Sequence, residues 1–513
     1  MKKILTLIVV LVSMSGTMHS NVRLASIFGD RMVLQRQVDV PVWGTAQKGE
    51  RVSVTFAGQT VAATTDESGT WMVHLAPLKE GGPYDLMAVG NDTVRLSDIL
   101  VGEAWLCSGQ SNMELAVEKA TNADKEIAAA RYPKIRLFTV KRTVADSPQV
   151  HCIGKWSECD SASVRTFSGA AYYFGRKLFQ DLNVPIGLVH SSYGGTPAEA
   201  WISQQALVVD TTYQPILSRW KKNLTEYPEK KIEFEAKRAG LMKEWEEASV
   251  KAKVEGRAAP ARPQEPMGQG NRSTPAGLFN GMINPLVPFA FKGIIWYQGE
   301  ANAARAYQYR TLFPALIRDW RKAWNQELPF YYVQLPNLKR QPEPSRSGWA
   351  ELRESQLMTL SVPNTAMVVT IDIGDSTNLH PANKQDVGSR LALLAEGLLY
   401  GMDKITFQSP VYLSSTIEGK CIKVQFDHNS GLHAKDGKEL KGFVIAGEDK
   451  HFVSAQGKVD GKEIIVWSDA VEKPSSVRYG WADNPTCNLV NDADLPAAPF
   501  RTDDWPEVTF NKK

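Results

Sequence analysis

Cysteine is scarce: the 513 residues include five, at 107, 152, 159, 421 and 487. So few thiols in a chain with an export leader exclude a disulfide-built scaffold. Only a local bridge between Cys152 and Cys159 stays open. No Cys/His spacing resembles a zinc site, so neither a metal nor another cofactor is expected. An excess of charge is also missing. The 59 basic and 56 acidic residues leave a formal +3, which drops to +1 once Lys2 and Lys3 leave with the leader. That balance argues against nucleic acid or an anionic membrane as partner. Beyond the N-terminus no apolar run is long enough to cross a bilayer, and no internal repeat is evident.

The leader is what the N-terminus does contain. Lys2 and Lys3 precede an apolar run from Ile4 to Val12, then small and polar residues through Ser20. This pattern reads as a secretory signal peptide over residues 1–20, too short to span a membrane. No cysteine follows it, which argues against a lipoprotein anchor. The mature protein is expected to be periplasmic or secreted.

Length predicts two or three domains. Residues 21–98 read as a small β-sandwich. Val52, Val54 and Phe56 alternate with polar residues, and Asp66-Glu67-Ser68-Gly69 marks a turn. Residues 99–402 alternate strand and helix. Expected strands are Ala104 to Cys107, Ile135 to Val140, Pro185 to His190, Gly293 to Tyr297, Phe330 to Leu335 and Ala366 to Ile373. Expected helices are Ala170 to Leu182, Ala306 to Trp324, Ala350 to Leu360 and Lys384 to Leu399. Unbroken apolar strands between helices predict a parallel sheet covered on both faces, with ligands at the carboxyl ends of its strands. An insertion near 214–272 is charged and helical, then Pro-, Ala- and Gly-rich. It reads as a solvated surface excursion, with a lid as the alternative. Residues 403–513 return to β-rich patterning.

Three loops at those carboxyl ends carry chemistry. Ser111 lies in Ser108-Gly109-Gln110-Ser111-Asn112-Met113, on a Gly-bearing strand-to-helix turn, where a fold exposes a nucleophile. A helix starting just after it would aim N-terminal amides at a developing oxyanion. Read alone, the serine has a helix cap as its alternative role. His380, one of eight histidines, sits late in the same block in Asn378-Leu379-His380-Pro381, placed to act as base. His190 is the competing base, with a structural role preferred. The Gly194-Gly195 loop and the Gln298 and Asn302 amides are candidate oxyanion donors, each typically contributing about 3 kcal/mol when aimed correctly. Gln110, Asn112 and Glu300 complete the candidates. Trp201, Trp296 and Trp349, among 14 tryptophans, could stack on a sugar, although core positions suit most of them better.

Several blocks together carry a resemblance: Trp105 to Met113, Ser191 to Trp201, Phe279 to Leu286, Trp296 to Asn302, Leu379 to Gln385 and Tyr479 to Pro485. In these the chain resembles carbohydrate O-acetylesterases of the SGNH hydrolase superfamily, and most of all the sialate O-acetylesterase family. The matching blocks run in order from about 23 to 505. The resemblance implies a flavodoxin-like three-layer α/β/α catalytic domain with β-sandwich accessory domains. It implies Ser111 as nucleophile and His380 as base, with Ser111, Gly194, Gly195 and Gln298 or Asn302 at the oxyanion hole. The chain departs from the superfamily at Thr377, where an Asp is common, and at Gly299-Glu300-Ala301-Asn302. The third triad member is therefore Asp375, Glu300, a backbone carbonyl or absent. The expected reaction is hydrolysis of acetyl esters on sugar hydroxyls, with 9-O-acetylated sialic acid first and acetylated xylan second. An inactive glycan-binding protein would be expected to lose Ser111 or His380. A lipase or thioesterase would want a long apolar channel. A glycosidase using Glu300 and Asp375 would survive replacement of Ser111.

Overall fold

The computed structural model describes residues 22–255, 260, 262–338 and 347–512. The expected leader lies outside them. The organising element is one 17-residue strand, β1 (Thr93–Gly109). Its first half alternates exposed and half-buried residues, and its second half, from Ile99, is wholly buried. The first half pairs with Gly81–Val89, and its middle pairs with Val33–Gln35. The second half is the middle of a parallel sheet. The strand thus runs through residue 98, where the sequence suggests a boundary.

Around β1 stand β2 (Arg131–Thr139), β3 (Trp156–Asp160), β4 (Ile186–Ser192), β5 (Gly293–Tyr297), β6 (Phe330–Val333) and β7 (Thr365–Val368). The order is β3-β2-β4-β1-β5-β6-β7, parallel throughout except for the edge strand β3. Successive side chains of a strand point to opposite faces. Ile294 and Trp296 accordingly join one core with Phe313, Leu316 and Trp320 of α4 (Ala306–Trp324). Ile295 and Tyr297 join the other core with Phe174 of α2 (Gly169–Leu182) and Leu391 of α6 (Lys384–Leu399). Burial on both sides is why these strands are apolar without interruption. This is the three-layer α/β/α fold expected, with additional β-sheets at both ends of the chain.

The C-terminal part forms two four-stranded sheets around a core that includes Ile422, Phe426, Ile464, Val477 and Phe500. It is fastened to α5 (Gly348–Met358) through Arg353, whose guanidinium donates to the Ala482 and Asp483 carbonyls at 2.7 and 2.9 Å. The insertion forms α3 (Gln214–Val254), 41 residues long and exposed along most of its length. Pairs such as Lys230–Glu226 and Lys237–Glu233, 2.7 and 2.6 Å apart, run along its solvent side. All five cysteines are free thiols, so the Cys152–Cys159 bridge left open by the sequence does not form.

Candidate active site

Parallel strands bring their carboxyl ends to one edge, and β1, β4, β5 and β7 each send a loop there. At the end of β1, Gly109 has φ +140°, and a Cβ on it would fall 2.2 Å from the Tyr297 carbonyl oxygen. Only glycine lets β1 and β5 approach this closely while the chain turns. The next residues form a single helical turn, α1 (Ser111–Glu114), with Gln110 at its cap. One turn is too short for the helix dipole expected from the sequence, and Ser111 is its first residue rather than its cap. The Ser111 amide, being first in the turn, has no intrahelical acceptor.

The loop after β7 delivers His380. Its backbone amide donates to Asn378 Oδ1 at 2.9 Å, and its Nε2 lies 2.8 Å from Ser111 Oγ. The pair opens on a cleft of about 890 Å³. Burial, then the Lys384 and Lys119 cations, hold the imidazole below its ordinary pKa. A neutral imidazole is the form that accepts a proton.

Asn112, fully buried, ties this pair to the rest of the site. Its Nδ2 donates to Glu300 Oε1 and to the Leu379 carbonyl oxygen, the latter at 3.1 Å. Its Oδ1 accepts from Lys384 Nζ at 2.7 Å. Lys384 is itself fully buried and packs its ammonium over the Tyr297 ring. Burial brings its pKa down to about 7, opposed by the Glu300 charge. Gln110 Oε1 lies 3.4 and 3.3 Å from the amides of Gly299 and Ala301, joining the first loop to the third.

Other expected roles meet a different geometry. Asp375 Oδ1 accepts from the Thr377 amide and hydroxyl at 2.9 and 2.8 Å, so it caps its own turn instead of orienting His380. Among the described residues no carboxylate hydrogen-bonds the His380 ring. Gln298 and Asn302 are buried and already engaged. Gln298 Nε2 donates to the Thr196 carbonyl and Asn302 Oδ1, at 3.2 and 2.8 Å. Asn302 Nδ2 donates to Glu199 Oε2 at 2.8 Å. These bonds tie the third loop to the Thr196–Glu199 segment, and neither amide is among the residues lining the cleft around Ser111. The Gly194 amide does face the Ser111 side, but it donates to Glu114 Oε2 at 2.8 Å, and Glu114 is ion-paired with Arg142. Gly195, at φ +72°, lies under the Arg272 guanidinium. Trp201, Trp296 and Trp349 are core residues, not platforms for a sugar. His190 lies in the same cleft wall, its Nε2 2.5 Å from Ser192 Oγ. No group of three or more His, Cys, Asp or Glu among the described residues could hold a metal ion.

A family model described as carbohydrate esterase, sialic acid-specific acetylesterase, matches residues 101–235 and 277–395, leaving out much of the insertion. The sialate O-acetylesterase of Rattus norvegicus is 31% identical over 97% of this chain and 97% of its own length. The chain belongs to the sialate O-acetylesterase family. The Homo sapiens sialate O-acetylesterase is similar at 32% identity over 93% of this chain and 92% of its own. Among solved structures, a carbohydrate acetylesterase from Xanthomonas citri superposes with a TM-score of 0.80 at 35% identity, covering 94% of this chain and all of that one. The enzyme class expected from the sequence, a serine carboxylic-ester hydrolase, is that of this family. Lys384, Glu114 and Arg142 are site residues the sequence reading did not single out. Glu114 follows Ser111 by one turn and Lys384 falls within the Leu379 to Gln385 block, the only signals that point to either.

Proposed function

We propose that this family member is an exported carbohydrate O-acetylesterase that works through a Ser111–His380 dyad. The observation that carries the reading is the 2.8 Å approach of His380 Nε2 to Ser111 Oγ at the cleft floor. As Ser111 Oγ bonds to the acetyl carbonyl carbon, His380 Nε2 takes its proton. The bond to the sugar oxygen then breaks, and the imidazolium returns the proton to that oxygen. A water gives its proton to His380 and attacks the acetyl-enzyme. Ser111 leaves reprotonated, and acetate is released.

The Ser111 amide is one oxyanion donor. The Gly194 amide becomes a second once the substrate oxygen replaces Glu114 Oε2, with Arg142 holding the displaced carboxylate. Asn112 fixes the His380 loop through the Leu379 carbonyl. The names of the curated relatives support an O-acetylated sialic acid, with the 9-O-acetyl group the first choice of position. The structural neighbour, named only as a carbohydrate acetylesterase, keeps acetylated xylan as the second reading. The signal-like leader supports a periplasmic or released location.

The test is acetate release from mucin-derived 9-O-acetylated sialic acid and from acetylated xylan, by wild type and Ser111→Ala. Release from one substrate, abolished in the variant, supports the dyad and fixes the sugar. Release from neither, or equal release by the variant, overturns the reading.

A further inference from the structure

The insertion helix α3 is solvated for most of its length, yet its first turns are not. Ile216 is buried, and Arg219 and Trp220 are half-buried, at the wall of a second cavity of about 330 Å³. Gly195 and Ala301 line it as well, and these two residues also line the cleft around Ser111 and His380. The two cavities therefore adjoin, with Gly195 and Ala301 common to both linings.

Its wall chemistry is specific. Trp220 supplies an aromatic surface of the size a pyranose ring covers, and Asn223 a side-chain amide. Two guanidiniums, Arg219 and Arg305, stand beside a single lining carboxylate, Glu199. Both approach the same oxygen, Glu199 Oε1, at 3.6 and 2.9 Å, while Oε2 accepts from Asn302. Burial and the neighbouring Arg305 cation hold the Arg219 pKa below its ordinary value. Arg272 adds a third guanidinium at the Gly195 rim. A bound carboxylate would offset this clustering of positive charge through charge-assisted hydrogen bonds.

Resting on the esterase reading above, we propose that this cavity is a subsite for a second, carboxylate-bearing sugar in the same glycan as the acetylated ring. The enzyme then acts best on acidic chains longer than one residue, and the insertion contributes a binding wall rather than a lid.

The experiment compares kcat/KM within two substrate pairs. One pair is 9-O-acetylated disialic acid and 9-O-acetylated methyl sialoside. The other is acetylated xylo-oligosaccharide with and without a glucuronic acid branch. Wild type is expected to prefer the acidic, longer member of at least one pair by about tenfold, through KM, the size one charge-assisted contact gives. Trp220→Ala and Arg219→Gln should each bring that ratio toward one. Turnover of all four substrates with wild-type ratios near one overturns the subsite and leaves the esterase reading standing. So does a preference that both variants retain. Turnover of none overturns the esterase reading and the subsite with it.

Discussion

The cleft holds two serine–histidine pairs. In one, Ser111 and His380 come from different loops 269 residues apart, and the imidazole is partly exposed to the cleft. In the other, His190 and Ser192 are neighbours on one face of β4, 5% and 4% exposed. Burial pulls the His190 pKa down to about 4 and leaves its Nδ1 without a hydrogen-bond partner. A base must receive a proton and stand as a cation for part of each cycle, and burial together with the Arg142 charge opposes that cation at His190. His380 is also depressed by burial and by the Lys384 and Lys119 cations, but it is half-buried and opens on the cleft. Identical residue types within hydrogen-bond reach therefore separate by what surrounds the charge they would have to carry.

That contrast can be broken in three places. Ser111→Ala or His380→Ala should each lower kcat by at least about 10,000-fold, with the double variant scarcely worse, because the two act as one unit. Single-turnover acetate release measures this, and additive losses would contradict a dyad. Lys384→Met should lower kcat about tenfold to a hundredfold by loosening Asn112 and the Leu379 carbonyl. It should also move the acid limb of kcat/KM to higher pH. A protonated Lys384 pushes the His380 pKa down, so removing the cation raises it, and the neutral imidazole is lost sooner on acidification. The difference should fade above about pH 7, where Lys384 itself loses its charge. An unmoved limb would show that Lys384 acts only as packing. Smallest of all, Ser192→Ala should leave acetate release within about threefold of wild type, while costing about 1 kcal/mol of stability through its lost hydrogen bond. Thermal unfolding reports the second, and a loss of activity matching Ser111→Ala would erase the distinction between the pairs.

Much of the scaffold was legible from the chain alone. α4 and α6 begin and end where their periodicity says, because each lays one apolar stripe on the sheet and the first closes on Asn325 in a left-handed C-cap. β5 was equally plain as an apolar run ending before Gln298. β1 was harder, since alternation gives way to continuous burial within one strand, and a change of pattern reads like a change of domain. The site divides in a similar way. Ser111 and His380 were marked by motif and by position at strand ends. The directions of Gln298 and Asn302 were not, because an amide on a loop reads the same whether it faces substrate or the underside of its neighbour. Lys384 was invisible for a stronger reason: lysine is ordinarily a surface residue, and nothing local announces one enclosed by Asn112, Glu300 and Tyr297.

The long strand that carries Ser111 has a further consequence. Its first half is gripped by Gly81–Val89 and its middle by Val33–Gln35, while its last residues end at the reactive serine. The same hydrogen-bonded ribbon thus belongs to two structural neighbourhoods at once. Heat or a proteolytic nick that frays the N-terminal strands would be transmitted along it toward the nucleophile turn. Catalytic competence is then expected to depend on the integrity of residues 22–92, although no side chain from that region lines the clefts around Ser111.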